Sequence, residues 1–108
     1  MPQLMIKGVK RERMPLLVKD TRARLAEIIG CPEDWLTYEW QPSVFFGSEG
    51  EEPFIPVIQV WWFDRARQTR DRVAGYLDGY LREKGFPGTQ ISFHLFREEA
   101  YYEDGEHF

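Results

Sequence analysis

The sequence holds a single cysteine, Cys31, and two histidines, His94 and His107. One thiol excludes an intrachain disulfide framework and any cysteine-based zinc cluster. Two histidines this far apart suggest no metal site, and nothing in the chain implies a cofactor. Long hydrophobic runs are missing too. A bilayer span needs roughly 18 apolar residues, whereas the longest apolar stretch, Phe54 to Phe63, is broken by Pro56 and Gln59. A secretory leader is not expected, because Ile6 is followed by Lys7, Lys10, Arg11 and Arg13. The expected setting is cytoplasmic. Basic residues are outnumbered 14 to 18, which leaves a net charge of −4. That balance disfavours nucleic acid, although Arg65, Arg67, Arg70 and Arg72 cluster while Glu98, Glu99, Glu103, Asp104 and Glu106 gather near the end.

Aromatic residues, by contrast, are abundant. They make up 16% of 108 residues and include four Trp. A domain this small has a poor ratio of volume to surface and cannot bury so many rings in one core. Exposed rings or a covering partner chain must account for the surplus, which points to an oligomer.

The hydrophobic period changes along the chain. Residues 3–8 read as a strand. From Arg11 to Ile29, apolar residues recur every three or four positions, as on one face of a helix. Pro15 suits the first turn, and Gly30 with Pro32 ends it. Trp35 to Gln41 alternates like a half-buried strand, and Gly47 to Pro53 reads as turn or loop. Val57 to Phe63 is a further strand, with Asp64 as the expected N-cap of a helix over Ala66 to Lys84. Gly75 and Gly79 in that helix suggest close packing against a sheet. Gly85 and Pro87 end it, and Gln90 to Phe96 alternates again.

The order is therefore β-α-β twice, and the halves match at an offset of 55: Gly30-Cys31-Pro32 on Gly85-Phe86-Pro87, and Leu36-Thr37-Tyr38 on Ile91-Ser92-Phe93. The expected architecture is one α+β domain over 1–108, with pseudo-repeats at about 2–46 and 57–101. Each repeat is a right-handed parallel crossover. Together they give a four-stranded mixed sheet with both helices on one face. The other face would carry Thr37, Glu39, Gln41, Ser92, His94 and Phe96, a polar and aromatic mixture suited to packing between subunits. Glu39 lies on the same side as His94 by repeat equivalence. It is a candidate acid–base partner or intersubunit salt-bridge member.

Pro2 is the first candidate for chemistry. Initiator Met1 is removed when a small residue follows it, which would expose a prolyl secondary amine at the head of a strand. Such an amine works as general base or nucleophile once its pKa falls towards operating pH.

Met1-Pro2-Gln3-Leu4 leading straight into a strand, together with the duplicated βαβ, resembles the tautomerase superfamily, of the macrophage migration inhibitory factor-like kind. Glu27-Ile28-Ile29-Gly30-Cys31, Trp62-Phe63-Asp64-Arg65 and Tyr102-Glu103-Asp104-Gly105-Glu106-His107-Phe108 are similar to the DUF1904 family of bacterial proteins within it. The resemblance implies a homotrimer with each Pro2 near a subunit boundary. It implies Pro2 as catalytic acid–base on a small anionic or carbonyl substrate. It also implies a substrate-binding set: Lys10 or Arg11 in the loop after the first strand, His94 on the last strand, and Trp62 near a pocket-lining position. The turn lysine of migration inhibitory factor falls on Cys31, so that cation is missing here. The alternative is a non-catalytic trimeric interaction protein of the same fold.

Overall fold

The computed structural model describes residues 2–107. Strand β1 (Gln3–Lys7) buries Leu4 and Ile6 and turns Gln3, Met5 and Lys7 the other way. A 3-10 turn (Arg11–Arg13) leads into helix α1 (Met14–Ile29), with Pro15 in its first turn, where a missing N–H costs nothing. A second 3-10 turn (Glu33–Trp35) precedes β2 (Thr37–Trp40). Strands β3 (Phe45–Gly47) and β4 (Gly50–Glu52) form a hairpin, followed by β5 (Val57–Trp62), helix α2 (Arg67–Glu83) and β6 (Gln90–Leu95). A short turn (Glu98–Ala100) and a hairpin of β7 (Tyr102–Glu103) and β8 (Glu106–His107) complete the described chain.

The main sheet has the order β2-β1-β5-β6. β1 runs parallel to β2, β5 parallel to β6, and the two pairs meet antiparallel at β1–β5. Two βαβ units thus share one sheet, and both helices cover the same face. Leu4, Ile6, Ile58, Val60 and Trp62 pack there with Leu17, Leu25, Leu77 and Leu81 in one core.

The two helices end alike. Gly30 and Gly85 take φ of +83° and +99°, a left-handed backbone that glycine adopts without a Cβ penalty. In each case the next residue's N–H reaches back five residues, Cys31 to Ala26 and Phe86 to Leu81, the closure of a Schellman turn. The strands match at another spacing. The Pro2 carbonyl accepts from Thr37 N–H at 3.1 Å, and the Pro56 carbonyl accepts from Gln90 N–H at 2.9 Å. Pro2 and Pro56 therefore occupy equivalent stations at the heads of β1 and β5.

Three local expectations need correction. Gly47 to Pro53 is not turn or loop throughout: residues 48–49 are a turn, but β4 follows within the stretch. α2 is not capped by Asp64: its N-cap is Ala66, in extended conformation and with no side-chain cap, because the chain bends after β5 and the helix begins only at Arg67. Gly75 and Gly79 do not approach the sheet; both are exposed, with open space where a Cβ would stand. The C-terminal Phe108 and the expected loss of Met1 lie outside the described residues.

The helices are joined by polar groups at their outer edge. Asp20 Oδ2 accepts the Tyr80 hydroxyl at 2.8 Å, and the Asp20 carbonyl accepts that of Tyr76 at 3.3 Å. Burial, then the adjacent Asp20 carboxylate, pushes the Tyr80 pKa from 10 up to about 12. The folded state thus holds this proton more tightly than the unfolded chain. Its contribution to stability is complete below pH 10 and is lost as pH rises through about 12. Urea unfolding across that window should show falling stability in the native chain and a shallower fall in Tyr80→Phe.

Candidate functional site

The residues singled out from the sequence fall at two ends of β1. At its head, Pro2 is fully buried. Continuing the β1–β5 register by one residue from the Gln3–Trp61 pair sets Pro2 opposite Trp62. Strand alternation places both towards the helices, whereas Gln3 and Trp61 face the open side. The Pro2 nitrogen is a backbone atom, so it lies at the end of the sheet rather than on either face.

Around that end stand groups from three further elements. Trp62 belongs to the core, wholly buried and stacked on Phe93 at 5.0 Å. Arg65, in the short segment between β5 and α2, lays its guanidinium over the Trp62 ring, Cζ being 5.7 Å from the centroid. Cys31, in the turn after α1, is half-buried. Burial pushes its thiol pKa up, and the positive charge of Arg65 opposes the rise. The turn that lacks a lysine is therefore reached by a cation from another element.

On the open face, the sheet register forms a row across all four strands: Thr37, Gln3, Trp61 and His94. His94 stacks on Trp61 at 4.5 Å, and its Nε2 is 2.9 Å from Ser92 Oγ. Trp61 Nε1 donates to Gln59 Oε1 at 3.2 Å. The row below holds Glu39, Met5, Gln59 and Ser92. Glu39 is exposed there and accepts from Gln41 Nε2 at 3.3 Å. It shares a face with His94, as the repeat suggested, but stands at the opposite edge of the sheet.

The chain end closes over the same region. Phe63, Phe96 and Tyr101 pack with ring centroids 4.8–5.7 Å apart. Burial raises the Tyr101 pKa, and the Glu103 carboxylate that accepts its hydroxyl raises it further, while a hydrogen bond with Gln3 opposes both. Tyr101 thus ties the C-terminal segment to the residue after Pro2.

Lys10 and Arg11 lie at the far end. The five residues of β1, at about 3.3 Å each, put some 16 Å between that end and Pro2. Lys10 lines an open cleft of about 680 Å³ with Arg13, Trp40, Phe45, Glu52 and Phe54. One chain therefore brings Pro2 near Trp62, Cys31 and Arg65 but does not bring Lys10 or Arg11 to them. Arg65 and Tyr101 were not anticipated as site residues. Arg65 was hidden in a run of arginines, and nothing local marks Tyr101. Among the described residues, no cluster of His, Cys, Asp and Glu could hold a metal ion, and no helix is long and apolar enough to cross a membrane.

This sheet, with its paired crossovers, is the fold of the tautomerase superfamily. A macrophage migration inhibitory factor-like protein from Entamoeba histolytica matches at TM-score 0.78 and 15% identity, over 99% of this chain and 98% of its own. A fused 4-OT asymmetric trimer matches at 0.82 and 16%, over 97% and 94%. The chain belongs to the family described as Domain of unknown function (DUF1904), whose model matches residues 1–107. A DUF1904 domain from Sebaldella termitidis is 32% identical over 100% of both chains, with a TM-score of 0.91. No curated protein matches the sequence.

Proposed function

We propose that the chain is a tautomerase-type enzyme. Pro2, freed by removal of Met1, acts as general acid–base on a small carbonyl or carboxylate-bearing substrate, without a cofactor, in a cytoplasmic homotrimer. The observation that carries this reading is the station of Pro2, fully buried at the head of β1 with its carbonyl tied to Thr37. Rigid placement fixes the direction of the nitrogen lone pair. Desolvation disfavours the charged ammonium, and nearby positive charge from Arg65 acts the same way, so both lower an amine pKa towards neutrality.

The separation of Pro2 from Lys10 and Arg11 supports the trimer. A head-to-tail contact between copies closes into a ring when its rotation divides the circle. It would set the Pro2 end of one β1 against the Lys10 end of the next. Lys10 or Arg11 would then stabilise an enolate formed at a neighbour's Pro2, with Glu39 and His94 facing inward. The radius of gyration of 14.9 Å exceeds the roughly 13 Å of a compact domain this long, as expected of a chain shaped to fit partners.

Burial of Pro2 and Trp62 also favours a second reading, a trimeric interaction protein with no activity, in which Pro2 only seals the end of the core. Labelling separates the two. The native mass should lack Met1, and 2-oxo-3-pentynoate should add once, on the Pro2 peptide. In that reaction the amine nitrogen bonds to the alkyne carbon β to the ketone, one alkyne π bond breaks, and the N–H proton moves to the adjacent carbon. The whole reagent mass is retained. Retention of Met1, or addition to Cys31 alone, supports the interaction protein.

A further inference from the structure

We propose that a hollow between the two helices holds the alkyl chain of a medium-chain fatty acid, with Arg13 and Lys84 taking its carboxylate at the mouth. The hollow measures about 250 Å³ and lies where the start of α1 passes the end of α2. Val9, Leu17 and Leu81 are buried and make its floor, with Phe86 half-buried beside them. Leu16 also lines it, yet is 53% exposed. A lone exposed leucine is ordinary on a surface. This one stands beside unfilled apolar space, so a chain laid in the hollow covers both. Two polar links fix the gap between the helices. Arg13 Nη1 donates to the Lys84 carbonyl at 3.2 Å, and the Tyr80 hydroxyl donates to Asp20 Oδ2 at 2.8 Å. Both links oppose closure of Leu17 onto Leu81.

The charges at the mouth select the head group. Arg13, Lys84 and Glu12 line the hollow and are exposed, two cations against one acid. None of the ion pairs among the described residues includes Arg13. Its guanidinium lies over the Phe86 ring at 5.1 Å and gives one nitrogen to the Lys84 carbonyl, which leaves further N–H groups for an acceptor. Lys84 Nζ stands 4.0 Å from Asp20 Oδ2, an oxygen that already takes the Tyr80 hydroxyl. A carboxylate supplies the counter-charge that Arg13 lacks and a second acceptor for Lys84. Volume sets the chain length. At roughly 30 Å³ for each water-sized group, the hollow takes about eight such groups, the size of octanoate. The helices cover the face opposite to the one assigned above to subunit packing, so the hollow stays open in an assembly. Val9 and Arg13 follow the end of β1 remote from Pro2. The site is therefore independent of any chemistry at Pro2.

Calorimetric titration of the native chain with hexanoate, octanoate and 1-octanol tests the site at neutral pH. Each methylene should tighten binding by about fourfold, so octanoate should bind about fifteenfold tighter than hexanoate. The alcohol, which keeps the chain and lacks the charge, should bind roughly tenfold more weakly than octanoate. Lys84→Gln should weaken octanoate alone and bring it towards the alcohol; this variant keeps the backbone carbonyl that Arg13 uses. Leu16→Gln should weaken acid and alcohol alike. Leu16 is exposed, so the change spares the core, and it does not line the larger cleft that shares Val9, Arg13 and Phe86 with the hollow. Pro2→Ala should bind octanoate as the native chain does. Absence of binding at millimolar octanoate, or equal affinity for hexanoate and octanoate, overturns the proposal. So does an alcohol that binds as tightly as the acid, which marks an apolar hollow without an anion site. Native affinity in Leu16→Gln, or lost affinity in Pro2→Ala, places the ligand elsewhere and overturns it too.

Discussion

Replacing Pro2 with alanine is expected to lower kcat/KM for enolisation of a small 2-oxo acid by about 10²–10⁴-fold, the usual weight of one positioned acid–base group. The variant still matures to a free amine, so the loss measures what proline adds: a secondary nitrogen held in a ring. The fold should persist, because the bond that holds this residue, its carbonyl to Thr37 N–H, comes from the backbone and is kept by alanine. Ultraviolet assay of keto–enol exchange reads the loss, and circular dichroism checks the fold. Undiminished turnover in the variant would remove Pro2 from the chemistry.

Trp62→Ala should cost about 3–5 kcal/mol of unfolding free energy, as for other large rings cut from cores. The ring is wholly buried between the strands and the helices and stacks on Phe93. Trp62→Phe should cost clearly less than Trp62→Ala, because it leaves a smaller cavity, keeps a ring on Phe93 and deletes an N–H that has no partner. Equilibrium urea unfolding of the pair separates the two effects. An alanine variant as stable as the phenylalanine variant would place Trp62 outside the core.

These expectations show which parts of the molecule were readable from the sequence. Helices and long strands were, because burial on one face imposes a period: Leu4 and Ile6 on β1, or Val73, Leu77 and Leu81 on α2. The β3–β4 hairpin was not, since three-residue strands around Gly47–Gly50 are too short to show alternation. The start of α2 was misplaced because Asp64 has the chemistry of a cap but lies three residues ahead of the first helical residue, Arg67.

For the site, Pro2 was legible because its chemistry depends on position in the chain. Trp62 was singled out, but whether it lines a pocket or the core depends on which strand face it occupies. Arg65 could be found only in three dimensions: its guanidinium lies over the Trp62 ring, more than sixty residues from Pro2 in sequence. Lys10 and Arg11 carry the right charge, yet the length of β1 keeps them from Pro2 within one chain.

The matched carbonyl bonds of Pro2 and Pro56 bear on stoichiometry. The backbone builds the same strand-head station twice, and the second could host the same chemistry by shape alone. Pro56, however, is locked in a peptide bond, so its nitrogen has no lone pair to offer. Symmetry of form is thereby halved in reactivity. However many copies assemble, titration of reactive amines should count chains and not sheet halves.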